Sequence, residues 1–280
     1  MIISIVFVAI LLLLYLILNV VEKNRLIRKR DLQLRGINIL RQVLELLTNV
    51  QQHRGISAAM LSGDKSFAPR LMGKRNDIQK IFHSLKPVLA EIPELNSDSK
   101  NLASIQVSWN QMSLAIETMT PEQSFSKHTD LVRKTIHLIG DMGEHLGMLD
   151  GEGAPLALMS NILLLRIPLL MESIGQARAL GSGYAAKGQC GAVGRIRLSF
   201  LEQHIRECQH EIRSSMTENS PAMERVNSLL KVLNERFLHV DEINIAPDTL
   251  FRTATEAIEA CLGLWQDVAQ KTVECVKTRD

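Results

Sequence analysis

The helical stretch LLTNVQQHRGISAAMLSGD at residues 46–64 decides the fold, because residues 169–188, LLMESIGQARALGSGYAAKG, repeat its pattern. An offset of 124 residues places Gln52 on Gln176 and Arg54 on Arg178. In both stretches, small residues follow the arginine, and a glycine then ends or loosens the helix. One weak repeat at this distance indicates a duplicated helical unit, since a solenoid needs more and shorter repeats.

The remainder of the chain consists of predicted helices separated by glycine and proline. Strand signals are nearly absent, because aromatic residues make up 4% of the chain and no Asn-Gly or Asp-Gly turn joins two alternating runs. The first predicted helix ends at Leu61, and seven more cover about 67–91, 98–119, 121–149, 155–186, 190–216, 221–240 and 247–278. The Gly-rich segment 150–153 divides them into groups of four. We therefore predict an all-α protein of two antiparallel up-down four-helix bundles, at 36–150 and 151–280, preceded by one N-terminal transmembrane helix.

The predicted transmembrane helix lies at residues 1–21, where positions 2–21 carry no charge and span about 30 Å as a helix. The alternative, a cleaved signal peptide, needs a basic N-terminal region and a small-residue cleavage site. Neither is present. The following helical segment 22–35 holds six basic residues against two acidic ones. The positive-inside rule therefore predicts an inner-membrane protein with a single span and a cytoplasmic C-terminal part.

Composition excludes several classes of protein. Of the 280 residues, 46% are hydrophobic, which excludes a disordered chain. The net charge of +2 gives no reason to expect nucleic-acid binding. The four cysteines are scattered without a CxxC pair, and we interpret them as reduced thiols in a reducing compartment.

Two arginines lie on predicted core stripes. In the first helix the stripe follows alternating spacings of four and three residues, through Leu40, Leu44, Leu47, Gln51, Arg54, Ala58 and Leu61. The fifth helix has a similar stripe, through Ile167, Leu170, Ile174, Arg178, Gly181 and Ala185. A guanidinium on such a stripe is costly without a partner, and no acidic residue lies three or four positions from either arginine.

Two interpretations of these arginines stay open. Each can find a carboxylate on another helix or extend its head group to solvent. Alternatively, a duplicated arginine beside small residues suits a bound small anion, because the planar fork of donors matches a planar trigonal oxyanion. The same departure from an apolar stripe in both halves favours the anion.

These segments resemble the nitrate- and nitrite-sensing (NIT) domain family. Residues 52–57, QHRGIS, match its Q-x-R-G-x-S segment, and residues 172–181, ESIGQARALG, match its E-x-x-G-x-x-R pattern. Supporting matches are RND at 75–77 and FRTAT at 251–255. The resemblance covers about residues 36–278.

The resemblance implies two four-helix bundles and nitrate or nitrite bound by arginines. Arg54 and Arg178 are the matched positions, and His53 and Arg252 are secondary candidates. Arg252 has ordinary ion-pair partners four residues away, in Asp248 and Glu256. Arg166 also lies among apolar residues but matches no family position.

The sequence gives little support for a metal site, a nucleotide site or an active site. Glu207-x-x-His210 has the spacing of half a di-iron site, but the second motif is missing, so no metal is expected. The residues His204, Cys208 and His210 are interpreted as a polar helix surface. No phosphate-binding glycine loop follows a strand, and we expect neither a cofactor nor an enzyme.

The main hypothesis is a membrane-anchored sensor module that binds nitrate or nitrite through paired arginines. Because the chain ends at Asp280 without an output domain, we expect it to signal to a protein partner in trans. The alternative is a membrane-tethered helical scaffold for protein contacts with a vestigial ligand site. The basic segment faces the inner leaflet in both cases, and homodimer formation stays open.

Overall fold

The structure, a computed structural model, describes residues 2–149, 155–215 and 220–278, with the side chains of 2–6, 8 and 9 excepted. The described chain is helical and holds no strand, which confirms the all-α prediction. The Gly-rich segment predicted to divide the two halves, at 150–153, lies outside the described residues.

The described residues form nine α-helices, which follow the eight predicted ones closely. They are α1 Ile2–Leu61, α2 Ala68–Ala90, α3 Asn96–Leu114, α4 Pro121–His145, α5 Pro155–Asn161, α6 Ile167–Lys187, α7 Ala192–Ser215, α8 Pro221–Leu233 and α9 Pro247–Thr278. Three short 3₁₀ turns, Lys65–Phe67, Pro93–Leu95 and Ile116–Thr118, connect the first four helices. The third and fourth helices end earlier than predicted, at Leu114 and His145.

Capping residues explain where several helices begin and end. Thr120 and Gln123 form a capping box at the start of α4, and proline occupies the first position of this helix. Ser220 caps α8, which also begins with proline. Gly188, with φ of 66°, ends α6 in the left-handed conformation that glycine adopts readily.

The predicted fifth helix is continuous but contains a π-helical turn, Ile162–Arg166, between α5 and α6. Pro168 has no N–H to donate to the carbonyl of Leu164, and the N–H of Ile167 bonds to Ile162, five residues back. The carbonyl of Leu163 therefore lacks its usual helical donor. Trp265 of α9 supplies one, at 2.9 Å from Nε1. A second π-helical turn, Asn234–Leu238, follows α8.

The helices pack in two sets. In the first, α1 packs against α2 and α4, and α3 packs against the same two helices. In the second, α6 packs against α7 and α9, and α8 packs against the same two. Contacts of α1 with α6 and α9, and of α4 with α6, join the two sets. One contiguous cluster of buried apolar residues includes members of both, so the junction between the sets is itself part of the core.

The predicted anchor at residues 1–21 lies partly outside the described side chains. Where side chains are described, the apolar residues from Ile10 to Leu18 are each about half exposed or more. Among the residues whose side chains are described, only the helix Pro155–Lys187 is long and apolar enough to cross a membrane, and it lies mid-chain. The most apolar 18-residue window of this helix is 61% buried inside the protein. Core helices of soluble proteins meet the same criterion of length and hydropathy, so this helix is only weak evidence for a membrane span.

Candidate functional site

Arg54 lies in the junction between the two helix sets, buried to 1% exposure as its stripe predicts. Its guanidinium forms a bidentate ion pair with Glu172 of α6, with 2.7 Å from Nη1 to Oε1 and 3.1 Å from Nη2 to Oε2. Nη1 also donates to Thr129 Oγ1 of α4 at 3.1 Å. The sequence left open a carboxylate, solvent or a bound anion as the partner of Arg54. In the structure its partner is a carboxylate from the other half of the chain.

The Glu172 carboxylate accepts hydrogen bonds from three side chains. Besides the two bonds from Arg54, it accepts one from Gln51 Nε2 at 2.9 Å and one from Gln176 Nε2 at 2.8 Å. The residue is 6% exposed. Four N–H donors around a planar carboxylate offset much of the loss of hydration that burial imposes on an ion pair.

Arg178, on α6, is 5% exposed, and the groups that its guanidinium contacts directly are neutral. Nη1 donates to Thr255 Oγ1 of α9 at 2.9 Å, and the guanidinium carbon lies 4.9 Å from the centre of the Phe251 ring. Among the described residues no carboxylate forms an ion pair with it, and its Nε and Nη2 have no hydrogen-bond acceptor. Burial, with a smaller contribution from the charge of Arg54, lowers the pKa of Arg178 to about 10, although the charges of Glu172 and Glu259 act in the opposite direction.

The two arginines occupy equivalent settings in their own helix sets. Arg54 lies 5.3 Å from the ring of Phe125 and bonds to Thr129, which is four residues further along α4. Arg178 lies over Phe251 and bonds to Thr255, four residues further along α9. The duplication seen in the sequence therefore extends to a Phe-x-x-x-Thr pair, and the two settings differ in the carboxylate that only Arg54 has.

Two glycines allow the guanidinium groups to cross the contact between α1 and α6. A Cβ on Gly175 of α6 would lie 2.8 Å from Arg54 Nη2. A Cβ on Gly55 of α1 would lie 4.0 Å from Arg178 Nη2, an ordinary contact distance. Each arginine thus reaches toward the helix that carries the other, and the junction of two arginines and one glutamate has a formal charge of +2 − 1 = +1.

His53 is buried but belongs to a different group of side chains. Its Nδ1 lies 2.7 Å from Nε2 of His128, whose own Nδ1 lies 2.7 Å from the carbonyl oxygen of Ser124. Because that carbonyl can only accept, we infer that His128 donates from Nδ1 and that His53 donates to His128. Burial lowers the pKa of His53 to about 2 and that of His128 to about 3. His53 is therefore neutral and directed toward α4.

Arg252 lies at the surface, with a side chain that is 65% exposed and 3.8 Å from Asp248. The structure does not bring it together with Arg54 and Arg178. Its neighbour Phe251 takes that place, with its ring beneath Arg178.

Sequence reasoning missed the role of Glu172 and of the Phe-x-x-x-Thr pairs. Glu172 stands in the quoted segment ESIGQARALG, six residues before Arg178, but its partner is 118 residues away. The signal available was the pair Phe125–Thr129, which recurs as Phe251–Thr255 126 residues later. As to metals, no three His, Cys, Asp or Glu side chains in the described parts of the chain are placed to hold an ion.

The model of the family described as nitrate and nitrite sensing (NIT) matches residues 45–273. A solved structure, that of the NasR transcription antiterminator, is similar with a TM-score of 0.66 and 15% sequence identity. The match covers 94% of this chain and 74% of that one, and shows a shared fold. No curated protein sequence matches the chain significantly.

Proposed function

The chain belongs to the nitrate- and nitrite-sensing (NIT) family, and from this premise we propose that it binds nitrate or nitrite at the junction of α1 and α6 through Arg54 and Arg178. The observation that carries the proposal is Arg178, a guanidinium with 5% exposure and no carboxylate partner among the described residues. Glu172 and Glu259 act on this cation only from beyond ion-pair distance. Burial of a guanidinium that no carboxylate contacts is unfavourable, and a small anion bound to it relieves that cost.

Anion binding gives a physical basis for a signal. Without the anion, the charges of Arg54 and Arg178 repel each other across the junction, which contributes to the lowered pKa of Arg178. A bound monovalent anion neutralises the net positive charge and favours closer packing of α1 on α6. The anion thereby shifts an equilibrium between two packings of the helix sets, and a partner in trans responds to the shift.

The test is isothermal titration of the full chain in detergent micelles with nitrate, nitrite and chloride. We expect saturable heat with nitrate or nitrite and none with chloride. R54A and R178A should lose the heat while circular dichroism shows the helices intact. R252A removes an exposed arginine and should bind as the unmodified chain does. Anion binding retained in both R54A and R178A would overturn the site.

We also propose the arrangement that places the sensor at a membrane. Residues 1–21 form the anchor, 22–35 a basic juxtamembrane helix, and 36–150 and 151–280 two antiparallel up-down four-helix bundles on the cytoplasmic side of the inner membrane. The exposed apolar side chains from Ile10 to Leu18 support the anchor, because a long apolar surface in water is unfavourable. Retention of the chain in membranes after alkaline carbonate extraction tests the anchor, and release of the chain would contradict it.

The second candidate function is a membrane-tethered scaffold with a vestigial ligand site. The bidentate ion pair of Arg54 with Glu172 favours it, because an arginine whose charge is balanced within the protein needs no ligand. Crosslinking distinguishes the two functions. A stoichiometric partner captured regardless of nitrate supports the scaffold, and a partner captured only with nitrate supports the sensor.

A further inference from the structure

The surroundings of Arg54 and Arg178 differ in one feature, a bound carboxylate, and this difference indicates which arginine is available to a ligand. Each guanidinium lies over a phenylalanine ring and bonds to a threonine four residues beyond it, on the last helix of its set. Arg54 additionally holds a carboxylate, whereas Arg178 holds none among the described residues. A carboxylate and a nitrate ion are both planar groups that carry one negative charge and accept hydrogen bonds through their oxygens.

We propose that Glu172 supplies Arg54 with a built-in carboxylate in place of a ligand, and that the external anion therefore binds at Arg178, beside Gly55, with one anion per chain. This inference rests on the proposed function and refines it. Arg54 acts on the ligand through its charge and through the position of α6, and Glu172 is a positioning residue that prevents a second anion from binding.

Three observations support this assignment. Glu172 occupies the Nη1–Nη2 edge of Arg54 with two hydrogen bonds, and Thr129 accepts a third from Nη1, so a second oxyanion cannot bind at that edge. Arg178 retains Nε and Nη2 without an acceptor in the described protein, and both can donate to one planar oxyanion. A Cβ at Gly55 would make only ordinary contacts, 3.9 Å from the Phe251 ring and 4.0 Å from Nη2, so there is space for a small group beside this guanidinium.

The charge of the junction predicts the class of anion. The buried ionised groups, two arginines and one glutamate, leave one positive charge, which a single monovalent oxyanion neutralises. Glu259 also acts on Arg178, but it is exposed and its charge is screened by solvent. A divalent anion such as sulfate would reverse the charge in a buried region, which is unfavourable. The site is therefore expected to bind nitrate or nitrite and to reject sulfate.

The first experiment fills the proposed site with a tethered carboxylate. G55D places a carboxylate within reach of Arg178 Nη2, and G55N places a neutral group of the same shape there. Both side chains occupy the same space, and only the aspartate competes by charge. In titrations of the full chain we therefore expect the Kd for nitrate to be about tenfold or more higher in G55D than in G55N. Equal affinities in these two variants would overturn the proposal. If the unmodified chain does not bind nitrate, the proposed function fails instead.

The second experiment removes the built-in carboxylate. E172Q frees Arg54, and the number of nitrate ions bound per chain should rise from one to two. E211Q is the matched control, because it removes the same charge from a more exposed ion pair with Arg166 and should leave the number at one. A number that stays at one in E172Q, or that is already two in the unmodified chain, would overturn the inference while leaving nitrate sensing intact. If E172Q does not fold, the comparison of G55D with G55N tests the proposal instead.

Discussion

Arg54 and Glu172 are 118 residues apart in the chain and form a buried bidentate ion pair that joins α1 to α6. The pair lies within the contiguous apolar core that joins the two helix sets, together with the polar side chains of Gln51, Thr129 and Gln176 that bond to it. Because the guanidinium and the carboxylate come from different halves, the pair forms only when the halves are packed together. A change in the packing of the two halves therefore also changes the charge balance around Arg54 and Arg178.

Gly175 leaves space for the guanidinium of this ion pair. G175A places a Cβ 2.8 Å from Arg54 Nη2, and the guanidinium has little freedom to move because Glu172 and Thr129 hold it. We expect G175A to lower the free energy of unfolding by about 1–3 kcal/mol, since overpacking exceeds the gain in helix propensity. Urea unfolding of the full chain measures the change.

G73A is the control for this substitution. Gly73 lies within α2, and a Cβ there meets no atom within 4 Å. Alanine should therefore stabilise the protein by about 0.5–1 kcal/mol. A stabilising effect of G175A as large as that of G73A would show that Arg54 adapts freely.

The sequence indicated which positions are unusual but could not supply their partners. Heptad-like spacing placed Arg54 and Arg178 on buried stripes, and both are buried. The spacing is a local property of one helix, and it gives no information about which residue of another helix faces the stripe. Glu172 and Thr129 approach Arg54 only through packing between helices, which explains why the ion pair was not predicted.

Helix positions were predicted well because proline and glycine mark them locally. The starts of α4, α8 and α9 lie at the prolines that the sequence analysis used. The π-helical turn before α6 was not predicted, although Pro168 is its sequence signal. A proline inside a helix can produce a kink, a break or a π turn, and the choice depends on a tertiary donor such as Trp265.

The bond from Trp265 to the π turn can be isolated by comparing two buried tryptophans. W265F removes the donor to the Leu163 carbonyl, whereas Trp109 Nε1 has no partner among the described residues. Both side chains are almost completely buried, so the loss of ring volume is similar. We expect W265F to lower the free energy of unfolding by about 1–3 kcal/mol more than W109F does, because it leaves a buried carbonyl unpaired. Equal losses in urea unfolding would contradict this role.

The buried histidine pair predicts a pH dependence of stability. The pKa values of His53 and His128 are about 2 and 3 in the folded protein, against 6.5 ordinarily. Below pH 6.5 the unfolded chain therefore binds protons that the folded chain does not, and stability falls as the pH is lowered toward 3. Each histidine contributes a slope of about 1.4 kcal/mol per pH unit once its unfolded form is protonated.

Urea unfolding between pH 7 and pH 4 measures this slope. H53Q should reduce the slope by the contribution of one histidine, whereas H83Q, which changes an exposed histidine, should leave it unchanged. The dependence should appear in unfolding and not in anion affinity at neutral pH, because the pair is uncharged there. An unchanged slope in H53Q would show that His53 is protonated in the folded protein.

Replacing Arg178 with lysine separates charge from geometry at the proposed anion site. R178K keeps the positive charge but loses the planar fork, and its ammonium group cannot donate two parallel hydrogen bonds to one oxyanion. Lysine also lacks the flat face that Arg178 places over the Phe251 ring. We expect the Kd for nitrate to rise by about tenfold or more in R178K, with the helices intact by circular dichroism. R252K makes the same exchange at an exposed position and should bind nitrate normally. Undiminished affinity in R178K would mean that charge alone holds the anion.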